Sequence, residues 1–334
     1  MRVKMLIATG DVRYTELISD YISNHYTDVI EVSVCNDSPG LQELLSLRRY
    51  DVALMDAALI NNADSESIKL PLALCSEYEA DEISEQLRKV SKYQRISAIV
   101  ADVLEQYAKI SGKRCDSYSR TANITAIWSP SGGAGKTTVA LAYAASSAAE
   151  GKGVFYLNLE SFSSVPAYFN GRGKSISTVF DMLDNGEGNV KILLQGIRCS
   201  ESGVSYLCEP DNFDDICILS PENITELVTS CAQITDELVI DLSSMCDMRT
   251  RQVFELADKV LLVTEPAASA EAKLSQFTSQ NNVFESIREK TTIVANKGAA
   301  VNELKTETMI SLPFVQVADA DMIFKTLKDY NFKT

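Results

Sequence analysis

The stretch SPSGGAGKTT, Ser129 to Thr138, decides how this chain is read. It stands between the apolar run ITAIW (Ile124–Trp128) and TTVALAYAASSAAE (Thr137–Glu150), whose apolar residues recur at helical spacing. Strand, glycine-rich turn and helix is the order a phosphate-binding loop requires. Successive backbone N–H groups then form an anion nest, and the helix N-terminus turns its partial positive charge toward the phosphates. Gly132, Gly133 and Gly135, with Ala134 between them, let the main chain approach a ligand closely. Lys136 is expected to reach the β- and γ-phosphates, the hydroxyl of Thr137 to ligate Mg2+, and Thr138 to complete the nucleotide-binding segment. The loop departs from the pattern G-x-x-x-x-G-K-[ST] at Pro130, which stands in the place of the first glycine.

Two downstream stretches support a nucleotide site. ELVIDLSS reads as a buried strand presenting Asp241, which in a P-loop protein sits near the magnesium, usually through water; read alone, such an Asp could simply cap the next helix. TTIVANKGAA ends a strand at Asn296-Lys297, where a side-chain amide could meet a purine edge.

Short apolar runs and segments of helical period alternate from Val3 to about Gly112: VKMLIA, YTELISDYISNHY, IEVSV, LQELLSL, DVALMD, LPLALC and RISAIVADVLEQYAKI. The alternation restarts after the polar, aperiodic stretch SGKRCDSYSRTAN, which reads as a linker. The sequence therefore predicts an α/β protein of two doubly wound parallel-sheet domains, a flavodoxin-like domain over 1–112 and a P-loop domain over 123–334, with a linker at 113–122.

Taken together, SGGAGKTT, YLNLE, LVIDLSS, DKVLLVTEPAASA and VANK resemble the MinD/ParA family of ATPases, over the chain from about Ile124 onward. An N-terminal receiver-like domain joined to such an ATPase resembles the TadZ/CpaE group of pilus-assembly and localisation proteins. The resemblance implies ATP and Mg2+ as cofactors, a homodimer with ATP at its interface, and other pilus or secretion assembly proteins as partners. It also implies a signature lysine early in the loop that crosses to the partner's phosphates, and here Ser131 stands at that position. The family's second strand typically ends in an Asp-x-Asp pair that positions magnesium and the attacking water; here the pair reads Asn158 and Glu160. An amide cannot act as a carboxylate base, which leaves Glu160 as the candidate substitute. The loop thus keeps its binding parts and lacks parts tied to hydrolysis, so slow or absent ATP turnover is expected.

In the N-terminal domain, YDVALMDAAL places Asp56 at a strand end and VSKYQRISAIV places Lys92 before a long helix. In a response-regulator receiver, which this spacing resembles, these would be the phosphoacceptor and its lysine. The acidic pair that would hold Mg2+ after the first strand reads Thr9-Gly10, with Asp11 alone nearby, so a pseudo-receiver used for docking is the expected reading.

Composition narrows the alternatives. A hydrophobic fraction of 46% in 334 residues provides for packed cores. A net charge of -15 and only short basic clusters, GKR and GRGK, disfavour nucleic acid as a partner. The eight cysteines are scattered with no C-x-x-C pair, which reads as reduced buried thiols and disfavours a metal-cluster carrier, and the single histidine, His25, leaves almost no material for histidine chemistry. No apolar stretch approaches the ~20 residues that span a bilayer, and the opening MRVKMLIATGD is wrongly flanked for a signal peptide. The terminal DADMIFKTLKDYNFKT carries Met322, Ile323, Phe324, Leu327 and Tyr330 on one helical face, and reads as a closing helix rather than a membrane anchor. The expected setting is cytoplasmic, with recruitment to a pole or the inner membrane face and at most peripheral membrane contact. The leading reading is an ATP-gated scaffold, with a cycling ParA-type ATPase and a regulator phosphorylated at Asp56 as alternatives.

Overall fold

The computed structural model describes residues 2–60, 66–76, 87–112, 122–279, 281–298, 309–314, 325–327, 329–330 and 332. The chain separates into two compact units, Met1–Lys113 and Arg114–Thr334. The predicted linker falls, but for residue 122, outside the described residues, as do Met322, Ile323 and Phe324.

In the first unit, β1 (Val3–Ala8), α1 (Val12–His25), β2 (Ile30–Cys35), α2 (Ser38–Leu47), β3 (Tyr50–Asp56) and the short α3 (Ala57–Ile60) are followed by β4 (Ile68–Cys75), β5 (Arg88–Ser91) and α4 (Ile96–Ile110). The five strands pair in parallel in the order β2-β1-β3-β4-β5. That is the doubly wound order of flavodoxin, whose ligands meet the carboxyl ends of the strands. Central position explains composition: all but the last residue of β3 are buried, as a strand covered by helices on both faces requires. Asp11 starts α1 by accepting the Tyr14 N–H at 3.1 Å, and Asp37 starts α2 by accepting the Gly40 N–H at 2.8 Å.

The second unit opens with β6 (Asn123–Trp128), α5 (Lys136–Ala149) and β7 (Val154–Leu159), then α6 (Val165–Tyr168), α7 (Ser177–Asn185) and α8 (Val190–Ile197). A hairpin of β8 (Cys199–Glu201) and β9 (Val204–Tyr206) precedes α9 (Pro221–Ala232), β10 (Glu237–Leu242), α10 (Met248–Leu256) and β11 (Lys259–Thr264). After α11 (Ala268–Thr278) and α12 (Asn281–Ile287) come β12 (Thr291–Ala295) and β13 (Met309–Ser311). The sheet runs β13-β12-β11-β6-β10-β7-β9-β8, parallel except for β8 against β9.

β6 and β10 lie side by side at its centre, so the loop after β6 and the end of β10 share one edge. The core beneath α5 joins Ile127, Val139, Tyr156, Val239, Leu261 and Val294, and Leu327 and Phe332 near the end of the chain pack into it. Among the described residues no helix is long and apolar enough to cross a membrane.

Candidate nucleotide site

Residues 129–135 join β6 to α5, and Lys136, Thr137 and Thr138 form the first turn of that helix. Gly133 and Gly135 take φ values of +81° and +89°, the left-handed region that side chains disfavour. Gly135 is also the residue before α5, and a Cβ there would run into the Asn296 amide. Around Gly132 there is open space within 4 Å of where a Cβ would stand. The turn is braced from within and behind: the Ser131 N–H donates to Ser129 Oγ at 3.1 Å, and Asn296 Nδ2 donates to the Ala134 carbonyl at 2.9 Å. Lys297, itself at φ +54°, donates from Nζ to the Gly133 carbonyl at 2.6 Å and pairs with Glu265 at 2.7 Å. The Asn296 oxygen accepts the Lys297 N–H at 2.9 Å, so both ends of the amide read from the sequence as meeting a purine edge are engaged within the protein.

Lys136 opens α5 and is buried, with Nζ 3.1 Å from Ser244 Oγ and 3.8 Å from Glu160 Oε1. Thr137 Oγ1 donates to Glu160 Oε2 at 3.3 Å. Asp241 on β10 is fully buried. Its Oδ2 accepts the Tyr156 hydroxyl at 2.9 Å and Asn158 Nδ2 at 3.3 Å, whereas Oδ1 has no hydrogen-bond partner. Burial first, then the charge of Glu160, push the Asp241 carboxyl up to about 7 against the pull of Thr137, Tyr156 and Lys136. Asn158 also accepts the Glu160 N–H at 3.2 Å, fixing the strand end from which Glu160 projects. Ser131 is buried, and its hydroxyl turns to the Gly132 carbonyl at 3.4 Å.

These residues suit a magnesium nucleotide. A partnerless buried carboxylate oxygen calls for a cation, and a glycine turn with two left-handed residues leading into a helix N-terminus calls for an anion.

Sequence reasoning passed over Tyr156, Ser244 and Glu265, and named Lys297 without giving it a role. Ser244 was legible as the second serine of LVIDLSS, but nothing local in the sequence marks Tyr156, whose hydroxyl meets Asp241 only across paired β7 and β10.

In the first unit, Asp56 Oδ2 accepts the Gly10 N–H at 2.9 Å, and Lys92 Nζ lies 3.9 Å from Oδ1. Asp11 is occupied as the cap of α1. Lys92 follows β5, and its carbonyl accepts the Tyr14 hydroxyl at 2.8 Å.

No protein-family model matches the sequence, and no curated protein matches it. Among solved structures, a ParA family ATPase from Chlorobium tepidum is 17% identical, covering 64% of this chain and 94% of its own, with a TM-score of 0.52. MinD of Pyrococcus horikoshii, solved with Mg-ADP, is 14% identical over 62% of this chain and 94% of its own, with a TM-score of 0.45. The Pyrococcus furiosus cell division ATPase MinD is 19% identical over 53% and 72%, with a TM-score of 0.43. The 64% share exceeds what the first unit could supply. The sheet that carries the loop therefore has the fold of a ParA-family ATPase.

Proposed function

We propose that the second unit binds Mg-ATP on residues 132–138, that two copies close around the nucleotide, and that hydrolysis is slow or absent. The observation that carries this reading is the convergence of Lys136, Thr137, Glu160 and Asp241 beside a left-handed glycine turn. Lys136 binds phosphate oxygens, exchanging Ser244 and Glu160 for them. Thr137 and the open oxygen of Asp241 hold the cation, Asp241 through water. Magnesium, when bound, supplies the positive charge that offsets the phosphates.

The same geometry supports slow or absent hydrolysis. The Asn158 amide donates to Asp241 and takes no proton from water, and the Ser131 hydroxyl carries no charge to a partner's phosphates. The first unit serves as a pseudo-receiver for docking, because Asp56 is met by the Gly10 amide and Lys92 and, among the described residues, no acidic cluster that could hold a cation stands beside it. With its resemblance to the TadZ/CpaE group, the chain reads as a cytoplasmic scaffold that places pilus or secretion assembly proteins at a pole or the membrane face.

One observation favours a cycling ATPase instead: Glu160 puts a carboxylate within 3.8 Å of Lys136 and 3.3 Å of Thr137, where it could orient water.

Light scattering with and without Mg-ATP, followed by analysis of the recovered nucleotide, separates the two. The scaffold reading expects a dimer holding intact ATP, lost in Lys136→Ala. A dimer that decays to monomer as ADP accumulates would sink it in favour of the cycling ATPase, and no nucleotide recovered would sink both.

A further inference from the structure

The hairpin β8–β9, at one edge of the second unit's sheet, brings together two cysteines with no pairing signal in the sequence. Cys199 and Cys208 lie with their Sγ atoms 3.9 Å apart. Strand geometry accounts for the meeting. Cys199 faces Tyr206 across the antiparallel register, and Cys208 stands two residues further on, so both sulfurs fall on one face. The segment 171–173 closes over them. The Gly173 N–H donates to Cys208 Sγ at 3.1 Å, Cys208 Sγ lies 3.8 Å from the Gly171 carbonyl, and the Gly171 N–H donates to the Tyr206 hydroxyl at 2.9 Å. The approach requires glycine: a Cβ at Gly173 would stand 2.7 Å from Cys199 Sγ, and one at Gly171 would stand 3.1 Å from Cys199 Cβ.

The two thiols share one contact in which either can donate, and the Gly173 amide favours the thiolate of Cys208. Cys208 is buried, but Cys199 remains partly exposed to a small reagent. Among the described residues no third histidine, cysteine or carboxylate completes a metal site with them, so the ligands of a structural zinc are lacking.

We propose that Cys199 and Cys208 form a redox modification site, converted to an intramolecular disulfide by exchange with a low-molecular-weight disulfide. Cys199, the sulfur the reagent reaches, gives up its proton and attacks one sulfur of the reagent, forming a mixed disulfide and expelling one small thiolate. The Cys208 thiolate then attacks Cys199 Sγ, breaking the mixed disulfide and expelling the second small thiolate. Two protein thiols become one S–S bond, two electrons pass to the reagent, and two small thiols leave with the protons. The sulfurs must close from 3.9 Å to about 2.05 Å. β8 is three residues long and pairs only with β9, so it can shift without disturbing the central strands.

The test treats the native full-length protein with oxidised glutathione, alkylates the remaining thiols, and cleaves after Arg198, Glu201 and Glu222. The expected product is CSE joined through Cys208 to SGVSYLCEPDNFDDICILSPE with Cys217 alkylated, lighter by two hydrogens than the two peptides, and separated again by dithiothreitol. Cys208→Ser should trap one glutathione on Cys199, and Cys199→Ser should abolish the link. Recovery of both peptides with Cys199 and Cys208 alkylated would overturn the proposal, as would a glutathione on Cys199 in the wild type that never resolves.

Discussion

Asp241 is wholly buried with one carboxylate oxygen held by Tyr156 and Asn158 and the other without a partner. Its carboxyl is raised from 3.8 to about 7, so the folded state binds a proton more tightly than the unfolded chain. The stability from protonated Asp241 is therefore complete below about pH 4, declines as pH rises, and is gone above about pH 7. Asp241→Asn keeps the shape and removes the charge. It should stabilise the nucleotide-free protein at pH 8 by roughly 2 kcal/mol or more, with little effect near pH 4. The same change should weaken magnesium-dependent ATP binding about tenfold or more, because the cation loses its anionic anchor. Urea denaturation from pH 4 to 8 and nucleotide titrations with and without Mg2+ check both parts. A variant less stable than wild type at every pH would refute the charge account.

At the scale of elements, the loop between β6 and α5 combines two left-handed glycines with different surroundings. At Gly133 a new Cβ would meet nothing closer than Glu265 Oε1 at 4.0 Å, so Gly133→Ala carries only the cost of its φ of +81°, about 1–2 kcal/mol. At Gly135 the same Cβ would also displace the Asn296 amide that holds the Ala134 carbonyl. Gly135→Ala should therefore cost roughly 3 kcal/mol and lose nucleotide binding, whereas Gly133→Ala should weaken binding without abolishing it. Thermal melts and ATP titrations of the two variants, side by side, rank them. Equal losses would show that Asn296 gives way freely.

Across the whole molecule, each unit holds its own sheet and its own buried core, Leu6, Tyr50 and Met55 in the first and Tyr156, Val239 and Leu261 in the second. A fragment covering 122–334 should fold and bind Mg-ATP within about threefold of the full chain, since it carries its own sheet and its own core. Trp128 offers the signal: it is buried, and its indole N–H donates at 3.2 Å to the carbonyl of Met245, next to the Ser244 that holds Lys136. Its emission should change when Lys136 transfers to phosphate. A fragment that folds without that change would tie nucleotide binding to the first unit.

Local signals carried much of this. The periods of alternating strands and helices, the glycines of the loop, Lys136, Thr137 and the Asp of LVIDLSS are all legible in order along the chain, because each depends on neighbours a few residues away. The strand order, the bracing of the loop by Asn296 and Lys297, the isolation of Asp241 Oδ1 and the meeting of Cys199 with Cys208 are not. They rest on contacts across strands, as far as 164 residues apart between Lys297 and Gly133. The short β8–β9 hairpin left no periodic trace in three-residue strands. By itself the sequence determined the α/β class and the glycine-rich turn between β6 and α5, since both are written in backbone propensity and short-range spacing. Only the tertiary structure decided which buried groups remain unpaired and which thiols face each other, since those depend on how strands distant in sequence are brought to lie side by side.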